Sequence, residues 1–393
     1  MTILTNVTND KSDKMENLKR LRTIVQAFAP GYPCPIELFV GRREQLDFCK
    51  LEVLAPKLPK RMVAPTNVAF LGVWGIGKTS ILKYIAESKE FQKKRFLNLP
   101  IIQEFETIND LLAKALENIA TSASKIKWLK TALGKKIKSI EIGPISLKPG
   151  ADRGPLIERL VQTWDILENA GVQHCSILID DFHRLSYDNM FSLRSIFQHL
   201  PGAGCNYSLI ISCAPQTFEP HMAEPISRFF YKRTLGSFTL KEIEECIRKP
   251  VEVLKINLDF DKYYVNELAR ITHGHPYFVK FITKELAKLY TKVTAKHIDK
   301  HFDDLLRALG REKFENDYNR ASPGEQRVLD CLAKEKTEKF EARKLKIIKN
   351  YTKYLERLTE KELLIWEGRG LYSVYHPLFL EWIGRFGSLK VKR

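Results

Sequence analysis

Long apolar stretches are missing from this 393-residue sequence. No run approaches the roughly 18 apolar residues that a membrane-spanning helix requires, so we expect no transmembrane segment. Residues 1–22 are polar and mixed in charge, and they lack the apolar core of a secretion signal. These two absences favour a cytoplasmic protein.

Cysteine is sparse and unpatterned. The chain has 7 cysteines and no C-x-x-C pair, which predicts reduced thiols and again a cytoplasmic location. His273 and His275 are not spaced as paired ligands on a helix face, and no cysteine or carboxylate cluster adjoins them in sequence. We therefore expect no zinc site.

Acidic residues are in deficit. The chain has 64 Lys and Arg against 47 Asp and Glu, a formal net charge of +17. This balance favours an acidic partner, such as nucleic acid or an anionic lipid surface; the alternative is a generally basic surface without such a partner. The length predicts two or three domains.

One short pattern carries the strongest chemical signal. Residues 72–80 read Gly-Val-Trp-Gly-Ile-Gly-Lys-Thr-Ser and match G-x-x-x-x-G-K-[ST] at every fixed position. A short apolar run precedes the pattern and a run with helical spacing follows it, which predicts a strand, a phosphate-binding loop and a helix. The alternative is a glycine-rich turn that binds nothing.

In such a loop the glycines let several N–H groups point inward, and the helix N-terminus adds partial positive charge. Lys78 would reach the β- and γ-phosphates, and Thr79 would bind Mg²⁺. The predicted nucleotide contacts in this segment are Gly72, Gly75, Ile76, Gly77, Lys78, Thr79 and Ser80.

In a second stretch, residues 175–182, a run of apolar or small residues is followed by Asp180 and Asp181. A buried parallel strand that delivers carboxylates at its carboxyl end suits a Mg²⁺–nucleotide site. Asp180 would hold Mg²⁺, and Asp181 would orient or deprotonate the attacking water. Lys78 and Asp181 are therefore the predicted catalytic residues. A strand end capped by a turn is the alternative.

Three further residues are weaker candidates for the nucleotide site. Ser212 ends another apolar run, where it would sense the γ-phosphate or be only a strand-end hydroxyl. Arg228 or Arg233 would act as an arginine finger, although a surface arginine is the commoner role for either.

The C-terminal third has a helical pattern interrupted late by a hairpin. Residues 239–242 and 322–325 each form a capping-box pattern at a helix start. Residues 363–367 and 371–374 read as two strands, so the last segment predicts a winged helix. Residues 343–361 hold seven basic and two acidic residues, which fits either a phosphate-facing recognition helix or a solvated charged face.

Two other segments have distinct patterns. Residues 125–138 carry six lysines and no acid, which makes them a second candidate for contact with nucleic acid. Residues 137–147 alternate apolar and polar residues around Gly143-Pro144 and predict a small hairpin.

Four elements together resemble the STAND-type and archaeal-type AAA+-related P-loop ATPases, whose relatives include the NB-ARC and NACHT switch proteins and the origin-recognition ATPases. They are residues 39–44 (Phe-Val-Gly-Arg-Arg-Glu), the phosphate loop, residues 179–181 (Ile-Asp-Asp) and residues 274–276 (Gly-His-Pro). The resemblance extends over residues 39–386.

The resemblance implies several site residues. Val40 and Gly41 would line the adenine pocket, with Arg42 or Arg43 beside the nucleotide. Pro276 would pack on the base from a helical lid. His376 would reach the β-phosphate of ADP from the winged helix.

Two departures from the family pattern bear on activity. Asp181 stands where many members have Glu, and the arginine that NB-ARC proteins have near Ser212 is absent. We therefore expect slow hydrolysis. ATP is favoured over GTP because no Asn-Lys-x-Asp sequence is present.

The predicted fold class is α/β, with a P-loop NTPase parallel-sheet domain followed by a helical lid and a C-terminal winged helix. The predicted divisions are a tail over 1–35, the ATPase domain over 36–236, the lid over 237–310 and the winged helix over 311–393.

The predicted function is an ATP-binding, slowly hydrolysing molecular switch that uses ATP/ADP and Mg²⁺. It would change conformation, engage an unidentified protein partner or form a homo-oligomer according to its nucleotide. One alternative is a DNA-binding ATPase of initiator or transposition-regulator type acting on double-stranded DNA. A nucleotide-binding scaffold with little hydrolysis is the second.

Overall fold

A computed structural model describes residues 3–53, 65–92, 95–133, 154–215, 224–346 and 348–387. The chain forms two compact units. The sheet unit comprises Pro33–Gly72 and Gly77–Gly236, and the helical unit comprises Met1–Tyr32, Val73–Ile76 and Ser237–Arg393. None of the helices in the described ranges combines the length and apolar character needed to cross a bilayer.

The sheet unit is built on five parallel strands in the order β2-β3-β4-β1-β5. They are β1 (Val68–Leu71), β2 (Phe96–Asn98), β3 (His174–Ile179), β4 (Tyr207–Cys213) and β5 (Tyr231–Thr234). The three central strands are buried along their whole length, as continuous apolar runs in a parallel sheet should be. The predicted α/β class with a parallel sheet is confirmed.

Helices cover this sheet. They are α2 (Arg43–Phe48), α3 (Lys78–Glu87), α4 (Ile108–Lys125), α5 (Lys127–Leu133), α6 (Gly154–Asn169), α7 (Tyr187–His199) and α8 (Glu224–Ser227). Apolar residues of α4 at helical spacing are fully buried in one continuous core with the strands. In that core Trp164 packs edge-on against Tyr207, whose hydroxyl donates to the Leu160 carbonyl at 3.0 Å.

One strand is shorter than the sequence predicts. The pattern over 98–105 favours a strand, but β2 ends at Asn98, and further on only Ile102 forms a bridge to Ile179. Pro100 lies between them and has no N–H to donate to a ladder. The hairpin predicted over 137–147 lies outside the described residues.

The helical unit contains the remaining elements of the described ranges. Its helices are α1 (Ile3–Ala27), α9 (Leu240–Leu254), α10 (Tyr264–Thr272), α11 (Pro276–Leu289), α12 (Ala295–Leu309), α13 (Glu315–Asn319), α14 (Pro323–Glu335), α15 (Tyr351–Glu360) and α16 (Pro377–Phe386). Its strands are β6 (Asp259–Phe260), β7 (Lys292–Val293), β8 (Lys339–Glu341), β9 (Leu364–Gly368) and β10 (Leu371–Val374).

The first helix, α1, begins earlier than predicted. The sequence favours a helix over 17–28, whereas α1 starts at Ile3. No glycine or proline precedes Pro30, so nothing in that segment terminates a helix. The Arg20 guanidinium donates to the carbonyls of Ala287 and Tyr290 at 2.7 and 2.8 Å, which satisfies carbonyls at the end of α11.

Both predicted capping boxes are present. Thr239 with Glu242 caps α9, and Ser322 with Glu325 caps α14. Each pair satisfies N–H groups that a helix start would otherwise leave without a partner.

The C-terminal segment runs α14, β8, α15, β9, β10, α16, and its strands form an antiparallel sheet in the order β8-β10-β9. The predicted hairpin corresponds to β9 and β10, and β8 is an additional strand. Residues 343–361 do not form one helix. A 3-10 turn covers Ala342–Leu345, and α15 starts only after Asn350, which has a left-handed backbone.

Candidate functional site

The phosphate-loop sequence follows β1, and α3 begins at Lys78. Gly77 occupies the N-cap of α3 with φ of 102°, and Gly75 has φ of 75°, values that favour glycine. The Lys78 ammonium donates to the Gly72 carbonyl at 2.7 Å. The cation thus lies next to the first residue of its own loop, close to the helix N-terminus that favours anions.

Thr79 and Asp180 meet in the sheet unit. The Thr79 hydroxyl donates to Asp180 Oδ2 at 2.7 Å across 101 residues of chain. Parallel strands end at one edge, so the residue after β3 comes close to the start of α3. A hydroxyl beside a carboxylate is a pair of hard oxygen donors of the kind Mg²⁺ prefers, so these residues fit that ion.

Asp180 is held by further contacts. Its side chain is buried, with 5% of the residue exposed. The Ser212 hydroxyl donates to Oδ1, and the Gln103 amide approaches Oδ2 at 3.4 Å. The carboxylate is therefore fixed from three directions.

Asp181 has different surroundings although it is adjacent. Its φ is 49°, and its N–H donates to the Ser212 hydroxyl at 3.1 Å. Its half-buried carboxylate pairs with the Arg184 guanidinium at 3.0 Å. Ser212, predicted to sense the γ-phosphate, here bridges the two aspartates.

Three of the residues predicted to line the adenine pocket or to lie beside the nucleotide come directly before α2. Val40 and Arg42 are buried, and Arg42 donates to the Gly236 carbonyl at 2.6 Å. Gly41 and Arg42 have φ of 69° and 63°, a tight turn immediately before α2. The Ser80 hydroxyl accepts from the N–H of Cys34 at 3.0 Å.

The two arginine-finger candidates differ in environment. Arg228 is exposed. The Arg233 guanidinium lies 3.6 Å from the ring centroid of Phe48, a cation–π contact that packs the edge strand against the end of α2.

In the helical unit, Pro276 is the buried first residue of α11. His376 is also buried and forms two hydrogen bonds. Its Nε2 lies 2.8 Å from the Thr272 carbonyl, and its Nδ1 accepts the Leu378 N–H at 3.1 Å. This pattern assigns the proton to Nε2. Both ring nitrogens thus have partners inside the helical unit.

The environment of His376 disfavours its charged form. Burial is the largest cause that lowers its pKa well below the ordinary value, and His275 lowers it further. His376 is therefore neutral near pH 7 and caps the start of α16.

Residues 73–76, the tip of the phosphate loop, belong to the helical unit. Ile76 is buried. The Trp74 carbonyl lies 3.1 Å from His275 Nε2, and its ring lies 4.5 Å from that of Tyr277. The pattern of the loop leaves position 74 open to any residue, so sequence reasoning missed Trp74.

Sequence reasoning also missed Gln103 and Arg184, which contact the aspartates. Arg184 follows Asp181 by three residues, a spacing that could have suggested the ion pair. Gln103 lies too far away in the chain for any local signal. No group of three or more His, Cys, Asp or Glu side chains able to hold a metal occurs within the described residues.

No family model matches the sequence, and no curated protein sequence is similar to it. Solved structures that resemble it include Orc1 from Aeropyrum pernix in complex with DNA, at a TM-score of 0.46 and 14% identity over 93% of this chain and 97% of that one. Cdc6p from Pyrobaculum aerophilum matches at a TM-score of 0.42 and 15% identity, over 94% and 98%.

A variant of RuvB from Thermotoga maritima matches at a TM-score of 0.42 and 16% identity, over 86% of this chain and 92% of that one. Similarity at this distance leaves the function of the chain to be inferred from its own residues.

Proposed function

We propose that this chain binds ATP with Mg²⁺, hydrolyses it slowly and acts as a nucleotide-dependent switch. The observation that carries the proposal is the 2.7 Å contact between Thr79 and Asp180. It joins the G-x-x-x-x-G-K-[ST] segment to the strand-end acid that a Mg²⁺–nucleotide site requires.

Each residue of the proposed site would have a specific role. The loop amides and Lys78 would bind the phosphates, and Thr79 and Asp180 would hold Mg²⁺. The bound ion would supply positive charge against the phosphate oxygens. Asp181 would accept a proton from the attacking water, while one of its carboxylate oxygens pairs with Arg184.

The switch itself, with STAND-type or AAA+-related behaviour, is part of the proposal. A ligand shifts a conformational equilibrium only when it binds one state better than the other. ATP and ADP differ in the γ-phosphate, so only contacts to that group can distinguish the two nucleotide states. The lid over 237–310 and the winged helix over 311–393 would be the parts that respond.

Equilibrium binding of labelled ATP tests the proposal. Lys78→Ala should abolish measurable binding, because the phosphates lose their main cation. Lys89→Ala, an exposed lysine beyond the end of α3, is the matched control and should bind like the parent. Equal affinity in the parent and Lys78→Ala would refute the phosphate-loop proposal.

Double-stranded DNA is a second candidate ligand, favoured by exposed cations in the C-terminal segment. They are Arg343, Lys344, Lys346, Lys349, Lys353 and Arg357, with Arg369 at the tip of the β9–β10 hairpin. We propose a winged helix that contacts mainly phosphates, so binding would be weakly selective for sequence and steeply dependent on salt. The lysines of 125–138 beyond Leu133 lie outside the described residues.

DNA affinity measured from low to physiological salt tests this candidate. If about five phosphates are neutralised, log K should fall with log salt at a slope near −4.5. Replacing Lys349, Lys353 and Arg357 together by Ala should flatten the slope by about two to three units. The matched control replaces Lys241, Lys262 and Lys296, which are exposed elsewhere in the helical unit. No binding at low salt would remove DNA as a ligand.

A catalytically weak scaffold remains the third proposal. Tight ATP binding with no measurable phosphate release would favour it over the hydrolysing switch.

A further inference from the structure

Trp74 lies at the tip of the phosphate loop, at a position that the motif leaves open to any residue. It is 40% exposed. Three side chains of the helical unit nevertheless contact this residue or its neighbour Gly75. These contacts could therefore fix the position of the loop tip.

Lys313 provides the first contact. Its ammonium lies 3.6 Å from the Trp74 ring centroid and 5.2 Å from that of Tyr375. The same ammonium pairs with Asp317 Oδ2 at 2.8 Å, and the Tyr375 hydroxyl donates to that oxygen at 2.9 Å. Lys313 is largely buried, and burial is the main cause that lowers its pKa. A cation–π contact strengthens when the cation is removed from water.

Tyr277 and His275 provide the other contacts. A Cβ placed on Gly75 would lie 2.9 Å from Tyr277 Cβ and 3.1 Å from His275 Cε1. The His275 ring also lies 3.1 Å from the Trp74 carbonyl. The loop tip is therefore held by its ring, its carbonyl and its backbone surface together.

A cavity of about 430 Å³ borders this contact and is lined in part by Trp74, Tyr277, Lys313 and Asp317. The cavity leaves space beside the Trp74 ring.

We propose that Trp74 and Lys313 form a clamp that positions the tip of the phosphate loop, so that ATP affinity depends on this contact. The inference rests on the proposed ATP site. Trp74 and Lys313 are positioning residues, because they act through the backbone of the loop that carries Gly75 and continues into Lys78. The helical unit would in return respond to ATP, since coupling between two equilibria is reciprocal.

A double-mutant cycle on ATP affinity tests the clamp. Trp74→Leu and Lys313→Met should each weaken ATP binding about tenfold, which lies between the values expected for an exposed and for a desolvated cation–π contact. The double variant should bind no more weakly than either single variant, because both changes remove the same contact. Lys313→Arg, which keeps the cation, should restore most of the affinity.

Matched controls are Trp366→Leu, on the hairpin strand β9, and Lys300→Met, an exposed lysine of α12; both should bind ATP like the parent. A second readout is tryptophan emission on ATP addition, which should change in the parent and not in Trp74→Leu. If Lys313→Met fails to fold because Asp317 loses the Lys313 ammonium, comparing ATP affinity in Trp74→Leu and Lys313→Arg still tests the clamp.

Unchanged ATP affinity in Trp74→Leu, or losses that add in the double variant, would overturn the clamp while leaving the ATP site intact. A parent protein that binds no ATP would instead refute the proposed function, and the clamp with it.

Discussion

At the scale of single residues, adjacent side chains have separate environments. Asp180 is buried and accepts hydrogen bonds from Thr79 and Ser212, whereas Asp181 faces Arg184 and is half-exposed. The same strand end therefore presents one carboxylate enclosed by hydroxyl groups and one that pairs with an arginine near the surface.

We expect Asp181→Asn to bind ATP with near-parent affinity and to hydrolyse it at least about a hundredfold more slowly, because an amide cannot accept the proton of water. Phosphate release under saturating ATP measures the effect. Asp188→Asn, an exposed carboxylate on α7, is the control. Parent-like turnover in Asp181→Asn would show that this residue is not the base.

We expect His376 to make the free energy of unfolding depend on pH. Its pKa in the folded protein is lowered, chiefly by burial, so the unfolded chain takes up the proton first as pH falls. Above the unfolded pKa of about 6.5, this group should not change the free energy of unfolding. Below that pH, the free energy of unfolding should fall by up to about 1.4 kcal/mol per pH unit.

Urea unfolding at pH 8, 6.5 and 5 measures that slope. His376→Gln should lower the free energy of unfolding at pH 8, because the cap on α16 and the hydrogen bond to Thr272 are weakened. Between pH 8 and pH 5, however, the variant should lose less stability than the parent. His183→Gln, at an exposed histidine, should retain the steeper slope. Parallel curves for parent and His376→Gln would contradict the burial argument.

At the scale of elements, the phosphate loop needs glycine for two separate reasons. Gly75 has a positive φ and also lies against Tyr277. Gly171 has φ of 89° with nothing within 4 Å of an added Cβ, so it shares only the first reason. Comparing substitutions at Gly75 and Gly171 therefore separates the cost of a left-handed backbone from the cost of a steric contact.

We expect Gly171→Ala to cost about 1–2 kcal/mol, the usual cost of a left-handed conformation in a residue with a Cβ. Gly75→Ala should cost more, because Tyr277 must also shift, and it should weaken ATP binding. Unfolding free energies for the two variants provide the comparison. Equal losses of unfolding free energy in the two variants would mean that Tyr277 and the loop tip can move apart without a measurable cost.

At the scale of the whole molecule, the excess of positive charge and the proposed nucleotide site together define one decisive experiment. Sizing the protein with ADP and with a non-hydrolysable ATP analogue, each with and without duplex DNA, separates the proposed functions. A switch should change its compactness or assembly with nucleotide alone. An initiator-like DNA-binding ATPase should do so only with DNA present.

Lys78→Ala is the control for that experiment and should show the same size in all four conditions if nucleotide drives the change. A parent protein with one size throughout would favour the scaffold.

The sequence by itself determined the features that depend on neighbouring residues. The phosphate-loop pattern, the buried parallel strands and both capping boxes could be predicted because each is fixed by side chains within a few positions of one another. The early start of α1 and the early end of β2 were missed although both have local causes: no glycine or proline interrupts the segment before Pro30, and Pro100 has no N–H to donate to a ladder.

Only the tertiary structure decided which distant residues meet. The Thr79–Asp180 bond spans 101 residues, the Thr272–His376 contact 104 and the Trp74–His275 contact 201. Such pairs leave no periodicity in the sequence, because their proximity results from strand order and helix packing. The sequence determined that the chain carries the phosphate-loop motif and two consecutive aspartates, and the fold decided that Ser212 joins those aspartates and that Lys313 contacts Trp74.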